Sequence, residues 1–240
     1  MVSSADLLAL RGFDTPTVCN VVELFDIRPR HEGYCDGRIA ACYPQLPPMV
    51  GFASTATFRS AAPPRTDDDY GRIDDQVKLF AHFPGPAVVV FQDLDDPPAA
   101  ATFGEVMCTT YKAFGAVGLI TSGAGRDLDQ VAALDFPCFS GGAICAHGYC
   151  HFPSLHVPVR VGGVVIHPGD LLHGDRNGVT TIPLEIASEV SAACVEYMAA
   201  EAIMLEYVRT GEVDPKGYAE ARAACNAGID ELGRRLQAKS

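Results

Sequence analysis

Residues 87–121 read AVVVFQDLDDPPAAATFGEVMCTTYKAFGAVGLIT, and this stretch decides the fold. It begins with a continuous apolar run, 87–91, and ends with a second, 116–121. Such runs are typical of strands buried on both faces of a sheet. Apolar residues recur between them at helical spacing: Phe103, Val106, Met107, Tyr111 and Phe114. Strand, helix and strand predict a βαβ unit, in which the two strands are parallel and the crossover is right-handed.

Further elements are predicted on both sides of this unit. Thr15 is expected to cap a helix whose first position is Pro16, because both residue types favour those places. Residues 51–58 alternate between the two faces of a strand. Short β-rich runs follow at 157–161, 164–167 and 178–182.

Two Gly-Asp groups, Pro168-Gly169-Asp170 and His173-Gly174-Asp175, are predicted to be turns between strands. From residue 184 two long amphipathic helices are expected, the first to about 209 and the second from 215 to 236. No Ser/Gly linker or internal repeat divides the chain. We therefore predict an α/β fold with one domain at 1–183. A helical tail, 184–240, is expected to pack on the same or a neighbouring subunit.

Composition excludes several classes of protein. The 240 residues include 18 Lys and Arg against 30 Asp and Glu, a formal charge of -12. This balance argues against nucleic acid or an anionic membrane as the principal partner. No apolar run reaches the ~18 residues that a membrane span needs. The N-terminus has no basic start, so we expect a cytoplasmic protein whose nine cysteines are mostly reduced thiols.

Arg126-Asp127 is the strongest candidate for chemistry. It follows the second buried strand and a glycine-rich turn, at the sheet edge where α/β proteins tend to bind ligands. Arg offers a fork of donors to a carboxylate, and Asp offers a hard oxygen to Mg²⁺ or Mn²⁺. The structural alternative is that Arg126 pairs with a local acid and Asp127 caps the following helix.

Other acids share that edge. Thr102-Phe103-Gly104-Glu105 fits a capping box, so Glu105 either caps a helix or holds a water in a site. Three aspartates, Asp93, Asp95 and Asp96, are rival metal ligands, although the neighbouring Pro97-Pro98 favours a stiff solvated turn.

The run Cys145-Ala-His147-Gly-Tyr-Cys150-His151, followed by His156, has the residue types of a zinc site. It lacks the paired Cys-x-x-Cys spacing of structural zinc sites, and polar residues near a cleft mouth are the favoured interpretation. Nucleophile elbows, phosphate-binding glycine loops and dinucleotide fingerprints are absent from the sequence.

From about Thr15 to Glu201, the order of motifs resembles the RraA-like family, which includes class II, metal-dependent pyruvate aldolases. An acidic residue, twenty further positions and then Arg-Asp form the most diagnostic pattern, met by Glu105 and Arg126-Asp127. Glycine motifs support it in the same order: Gly51 to Thr57, Gly104-Glu105, Gly163 with Pro168-Gly169-Asp170, and Gly174-Asp175 through Gly178-Val179 to Ile182-Pro183. The chain departs from the family at Ala99-Ala100-Ala101, where a glycine is usual.

The resemblance implies a layered β/β/α sandwich of the swivelling type and trimers or dimers of trimers. It also implies that Asp127 binds Mg²⁺ or Mn²⁺, that Arg126 contacts the substrate and that Glu105 orients a metal-bound water. The segment Thr102, Phe103 and Gly104 is expected to bind substrate as well. Glu201 falls where the family supplies an acid from an adjacent subunit.

The implied reaction is retro-aldol cleavage of 4-hydroxy-2-oxo acids to pyruvate, decarboxylation of oxaloacetate, or both, through a pyruvate enolate. The substrate is then a small anionic 2-oxo acid. Two other functions stay open at this point. One is a non-catalytic regulator of the ribonuclease-regulator type, which some family members are, and the other is a zinc hydrolase that uses the cluster from Cys145 to His151.

Overall fold

Seven strands form the main sheet of the computed structural model, which describes residues 2–65 and 70–238. They are β1 (Ala40–Ala41), β2 (Met49–Phe58), β3 (Ala87–Asp93), β5 (Gly118–Thr121), β7 (Cys138–Ser140), β10 (Leu171–Asp175) and β11 (Gly178–Ile182). Two separate strand pairs are β4 (Ala101–Phe103) with β6 (Ala124–Gly125), and β8 (Val159–Val161) with β9 (Val164–Ile166). The helices are α1 (Ser4–Leu10), α2 (Thr15–Leu24), α3 (Ile73–Leu79), α4 (Glu105–Ala113), α5 (Leu128–Ala132), α6 (Ala187–Arg209) and α7 (Pro215–Gln237).

The predicted βαβ unit is confirmed. Strands β3 and β5 are parallel neighbours, with Val88 opposite Gly118, and α4 lies between them in the chain. The order across the sheet is β1-β7-β5-β3-β2-β10-β11, in which β2, β3, β5 and β7 run parallel to one another. Their carboxyl ends therefore meet at one edge, which is where the loops of the candidate site begin.

Successive residues of β3 enter different cores, because side chains alternate across a strand. Ala87, Val89 and Phe91 pack with residues of α4 and α5, such as Tyr111 and Val131. Val88 and Val90 lie on the other face, against the hairpin formed by β8 and β9. Helices thus cover one face of the sheet and a second β layer covers the other, as expected for a β/β/α sandwich.

Helix α2 begins one residue earlier than predicted. Asp14 is its capping residue, and its carboxylate accepts the N–H of Thr17 at 2.9 Å. The expectation that Thr15 is the cap is wrong. Thr15 is buried instead, and its hydroxyl lies 3.0 Å from Nδ1 of His173. The Thr15 hydroxyl therefore interacts with a buried side chain, His173, instead of capping the helix.

The prediction of a turn at His173-Gly174-Asp175 is also wrong, since these residues complete strand β10 between β2 and β11. His173 is fully buried, and its Nε2 lies 3.1 Å from the carbonyl oxygen of Leu10. It fills a polar gap between the sheet and two helices. The turn predicted at Pro168-Gly169-Asp170 does lie outside the strands, before β10.

Helix α4 differs from its predicted pattern at both ends. Phe103 belongs to strand β4, while Val106 and Phe114 are 79% and 60% exposed. The buried face consists of Cys108 and Tyr111, one turn apart. Helical periodicity predicted the helix correctly and included Tyr111 and Met107 of the packed face, but it missed Cys108 and included the exposed Val106 and Phe114.

The two tail helices are present near their predicted bounds. Val190, Ala193, Cys194 and Tyr197 of α6 share a core with residues of α1 and α2, and Leu232 of α7 joins the same core. The tail therefore packs on its own chain, and the division at residue 183 stays a prediction. Within the described ranges, none of the helices has both the length and the apolar character to cross a bilayer. All nine cysteines are described, and each is a free thiol.

Candidate active site

Glycines permit close packing at the carboxyl edge of the sheet. A Cβ on Gly125 would lie 2.3 Å from the ring of Phe103, so β6 approaches β4 only because residue 125 has no side chain. A Cβ on Gly104 would lie 2.5 Å from Oδ2 of Asp127 and 3.1 Å from Nε of Arg126. The glycine-rich sequence therefore brings the start of α4 against the Arg126-Asp127 pair.

Asp127 has a left-handed backbone, with φ 53° and ψ 42°. Non-glycine residues in this region are uncommon, and they cluster at functional sites. Asp127 stands at the N-cap position of α5, yet its side chain caps nothing there. Its Oδ2 accepts the backbone N–H of Glu105 at 3.1 Å instead, and lies 3.6 Å from Nε of Arg126. The structural alternative is therefore correct for Arg126, which pairs with a local acid, Asp127. It is wrong for Asp127, which caps α4 and not the helix that follows it.

Glu105 is the exposed first residue of α4, and Gly104 is the capping position. The predicted capping box is therefore wrong, because the cap is Gly104 and not Thr102, which makes Glu105 the first helical residue instead of the third. The Thr102 hydroxyl accepts a hydrogen bond from Thr121 at 3.3 Å and is buried. The first-turn carboxylate of Glu105 is left free for another role.

The first turn of α4 offers backbone donors. The first N–H groups of a helix have no partner within it. That of Glu105 is used by Asp127, while those of Val106 and Met107 have no capping side chain. Arg126 lies beside this turn, with a third of its side chain exposed. Helix N-termini favour anions, so the turn and the guanidinium offer donors of the kind that a carboxylate accepts.

The remaining predicted site residues lie elsewhere. Thr102 and Phe103 are buried in β4, where the carbonyl of Phe103 accepts the N–H of Arg126 at 3.0 Å. Their side chains do not face an open cleft, and the accessible donors of this segment come one turn later. Glu201 of α6 lies near Tyr197 and Cys225 in the tail, away from Arg126-Asp127 of the same chain.

The cysteine and histidine run does not form a zinc site. In residues 2–65 and 70–238, no three His, Cys, Asp or Glu side chains come together as metal ligands. The Sγ of Cys150 donates to the carbonyl of His147, and the ring of His151 packs edge-on against Tyr70. Burial is the largest effect on the Cys150 thiol and raises its pKa.

A cleft of about 840 Å³ opens at the same sheet edge. Its lining includes Asp93, Gly123, Gly142 and Arg160. The interpretation of the aspartates as a solvated turn holds only for Asp96 and is wrong for Asp93, which is 8% exposed. Sequence reasoning placed these acids at the correct edge, but it gave no signal that a carboxylate there is buried.

Asp95 is hydrogen-bonded to the loop that follows β2. Its Oδ2 accepts the N–H groups of Ser60 and Ala61 at 2.7 and 2.9 Å, and Arg59 lies 3.5 Å from its Oδ1. These contacts occupy the carboxylate, so Asp95 holds two loops together and is not available as the metal ligand that the sequence left open.

Comparison with known proteins identifies the family of this chain. A family model for RraA-like proteins, described as "Aldolase/RraA", matches residues 15–181. The chain belongs to the RraA-like family. A protein of Halalkalibacterium halodurans, named "Putative 4-hydroxy-4-methyl-2-oxoglutarate aldolase", is 38% identical over 106 residues, or 44% of this chain. The match spans 50% of the length of that relative. A protein of the same name from Ectopseudomonas mendocina is 28% identical over 48% of this chain and 70% of its own length.

Solved structures establish the fold of this RraA-like chain. An uncharacterized protein from Pseudomonas syringae pv. tomato matches with a TM-score of 0.72 and 22% identity, over 92% of this chain and 94% of its own. Streptomyces coelicolor RraAS2, described as an unusual member of the RNase ES inhibitor RraA protein family, matches with a TM-score of 0.66 and 22% identity. That match covers 84% of this chain and 96% of RraAS2.

The residues present fit a divalent cation of the Mg²⁺ type. Mg²⁺ keeps several waters and is commonly bound through one or two carboxylates together with its substrate. The Asp127 side chain is 38% exposed, and no described residue donates a hydrogen bond to its Oδ1. Zinc needs three or four protein ligands, which the described residues do not supply.

Proposed function

We propose that this chain is a divalent-metal-dependent lyase that cleaves 4-hydroxy-2-oxo acids to pyruvate and decarboxylates oxaloacetate. The observation that carries the proposal is the junction of Asp127, Arg126 and the first turn of α4, held together by the contact between Asp127 and Glu105. The names of the aldolase relatives support the same reaction class.

Binding of the substrate carboxylate is assigned to α4 and Arg126. The N–H groups of Val106 and Met107 point out of the first turn of the helix, where an anion is favoured. Arg126 adds a planar fork of donors that matches a carboxylate or an enolate oxygen. Because the protein has a formal charge of -12, this local positive potential is required to hold an anionic substrate.

The cleavage step places negative charge on the 2-oxo oxygen. The C3–C4 bond breaks, its electron pair forms the enolate of pyruvate, and C4 becomes a carbonyl as its hydroxyl loses a proton. Asp127 would hold the divalent cation, which when bound would supply Lewis acidity for this step. Arg126 stabilises the charge by hydrogen bonding, and a preorganised donor of this kind is worth about 100-fold or more in rate.

Glu105 is proposed as the group that accepts the C4 hydroxyl proton through a water. Glu105 is the first residue of α4, its backbone N–H contacts Asp127, and its carboxylate is not used in capping. Decarboxylation of oxaloacetate needs no such base, because loss of CO₂ forms the enolate directly. Glu105→Gln should therefore slow aldol cleavage much more than decarboxylation.

The proposal is tested by pyruvate release from oxaloacetate and from a panel of 4-hydroxy-2-oxo acids, with Mg²⁺ or with EDTA. We expect metal-dependent turnover that falls by about 100-fold or more in Arg126→Ala and Asp127→Asn. Asp129→Asn is the matched control, since Asp129 is an exposed acid in the first turn of α5, the helix that follows Asp127. Full activity in Asp127→Asn contradicts the assignment of Asp127 to the metal. No turnover on any substrate contradicts the lyase and favours a non-catalytic regulator.

A further inference from the structure

Asp93 is a buried carboxylic acid that the proposed reaction does not use. It is the last residue of β3, the central parallel strand, and it is 8% exposed. Its backbone N–H donates to the hydroxyl of Ser122 at 2.9 Å, and its Oδ1 accepts the N–H of Asp95 at 3.0 Å. Its Oδ2 is buried and has no hydrogen-bond partner among the described residues. A buried acid with an unpaired oxygen costs free energy and therefore requires an explanation.

Oδ2 lies at a junction of three segments. A Cβ on Gly123 would be 2.5 Å from Oδ2 of Asp93 and 2.2 Å from Oγ1 of Thr102. The carboxyl of β3 and the hydroxyl of β4 thus both reach the bare Cα of Gly123, just before β6. The N–H of Gly123 donates to Thr121 at 2.9 Å, and the Thr121 hydroxyl donates to Thr102 at 3.3 Å.

The chain connects this junction to both halves of the candidate active site. Strand β4 leads from Thr102 to Gly104 and the first turn of α4, and β6 leads from Gly123 to Arg126 and Asp127. Strands β4 and β6 pair with each other and are not part of the main sheet. The position of both halves of the site relative to the main sheet therefore depends on what connects this pair to β3.

We propose that Asp93 is a positioning residue, which through Thr102 and Gly123 holds the β4–β6 pair against the main sheet and so aligns α4 with Arg126 and Asp127. This inference rests on the proposed function of that site. Asp93 itself does not reach the reacting atoms in this scheme. Its effect on catalysis is transmitted through the strands.

The contact should depend on pH. The pKa of Asp93 is raised to about 6, chiefly by burial and in smaller part by the nearby charge of Asp95. The N–H of Asp95, the hydroxyl of Thr102 and the guanidinium of Arg59 oppose this rise. Cys150 is a further titratable neighbour, whose own pKa is raised in part by Asp93. Thr102 can hydrogen-bond to either form of the acid, but burial outweighs its effect on the carboxylate, so the ionised form is the less stable one in this position and favours local opening.

Hydrogen exchange followed by mass spectrometry tests the inference without reference to activity. The peptides of interest cover β4 and β6, and the peptide over β8–β9 is the internal reference. Asp93→Asn mimics the protonated acid, and Asp96→Asn is the matched control, because Asp96 is exposed in the same loop. Each variant is compared with the wild type at pH 5 and at pH 8, so that the intrinsic pH dependence of exchange cancels.

At pH 8 we expect the wild type and Asp96→Asn to exchange about tenfold faster than Asp93→Asn in β4 and β6, which corresponds to ~1.4 kcal/mol of local opening. At pH 5 all three should agree. Thr102→Val removes the hydroxyl and should exchange fast at both pH values. Equal exchange of wild type and Asp93→Asn at both pH values overturns the inference, as does a difference of the same size at both.

Kinetics then separate this inference from the proposed function. In the wild type, kcat/KM for pyruvate release should change near pH 6, and Asp93→Asn should lose that change while Asp96→Asn keeps it. If exchange behaves as expected but no protein releases pyruvate, the lyase proposal fails and the role of Asp93 in holding β4 and β6 stands. If all three proteins have the same pH profile of turnover, the positioning role is wrong.

Discussion

Gly104→Ala is the sharpest perturbation of the candidate site. Its backbone is extended, with φ -158° and ψ -168°, so alanine adds no backbone strain. The new Cβ would lie 2.5 Å from Oδ2 of Asp127 and 3.1 Å from Cγ and Nε of Arg126. A contact of 2.5 Å is too short, and one side must move by roughly 0.5–1 Å to reach ordinary packing distance.

Two effects follow from that displacement. The hydrogen bond from Glu105 to Asp127, 3.1 Å long, is stretched or lost, and a bond to a charged group contributes about 1.5–3 kcal/mol. For a chain of this size, such a loss lowers Tm by roughly 3–12 °C. A misplacement of about 1 Å at reacting groups costs on the order of 100-fold in rate, so kcat/KM for pyruvate release should fall by about that factor.

Gly37→Ala is the control, because nothing lies within 4 Å of its Cβ position. Both variants are assayed for pyruvate release at a temperature at which each is folded, as judged by circular dichroism. Gly37→Ala should match the wild type in both measurements. If Gly104→Ala retains full kcat/KM, the alignment of Asp127 and Arg126 with α4 is not needed for turnover, and the geometric argument for the site is refuted.

Three further predictions concern stability. Burial lowers the pKa of His173, so the fold favours the neutral imidazole. The resulting stability is complete above about pH 6.5 and is lost as pH falls towards the folded pKa. Urea titrations should show that His173→Asn removes this pH dependence. Asp14→Ala should lower the unfolding free energy by about 0.5–2 kcal/mol through loss of the α2 cap, with no change in turnover. Tyr111→Phe should cost about 1–3 kcal/mol in the same titrations, because Oε1 of the buried Gln76 loses the donor now 2.7 Å away; an unchanged midpoint contradicts this.

The βαβ unit was predictable because its signal is local. The apolar runs that became β3 and β5 report burial on both faces, and the helix between them has its own period. The edge that holds Arg126-Asp127 follows from parallel strands alone. The position of Arg126-Asp127 at this edge was therefore predictable from the sequence.

Contacts between distant segments explain what was missed. His173 looked like part of a turn because Gly-Asp pairs are common there, but a polar partner in Thr15 makes it a buried strand residue. Asp93 and Asp96 are equivalent by local sequence, and only the packing of β4 and the turn at Gly123 distinguishes them. The cap of α4 comes from Asp127, 22 residues later, which no local capping pattern contains.

The hydrogen bond from the backbone N–H of Glu105 to Asp127 makes that amide a spectroscopic probe of the candidate site. Its proton points at Oδ2, while the other oxygen of the same carboxylate is open to a cation. Any positive charge that arrives at Oδ1 draws electron density from Oδ2 and weakens that bond. In a ¹H–¹⁵N spectrum the Glu105 signal should therefore move on Mg²⁺ addition, so occupancy can be read from the resting protein without any substrate.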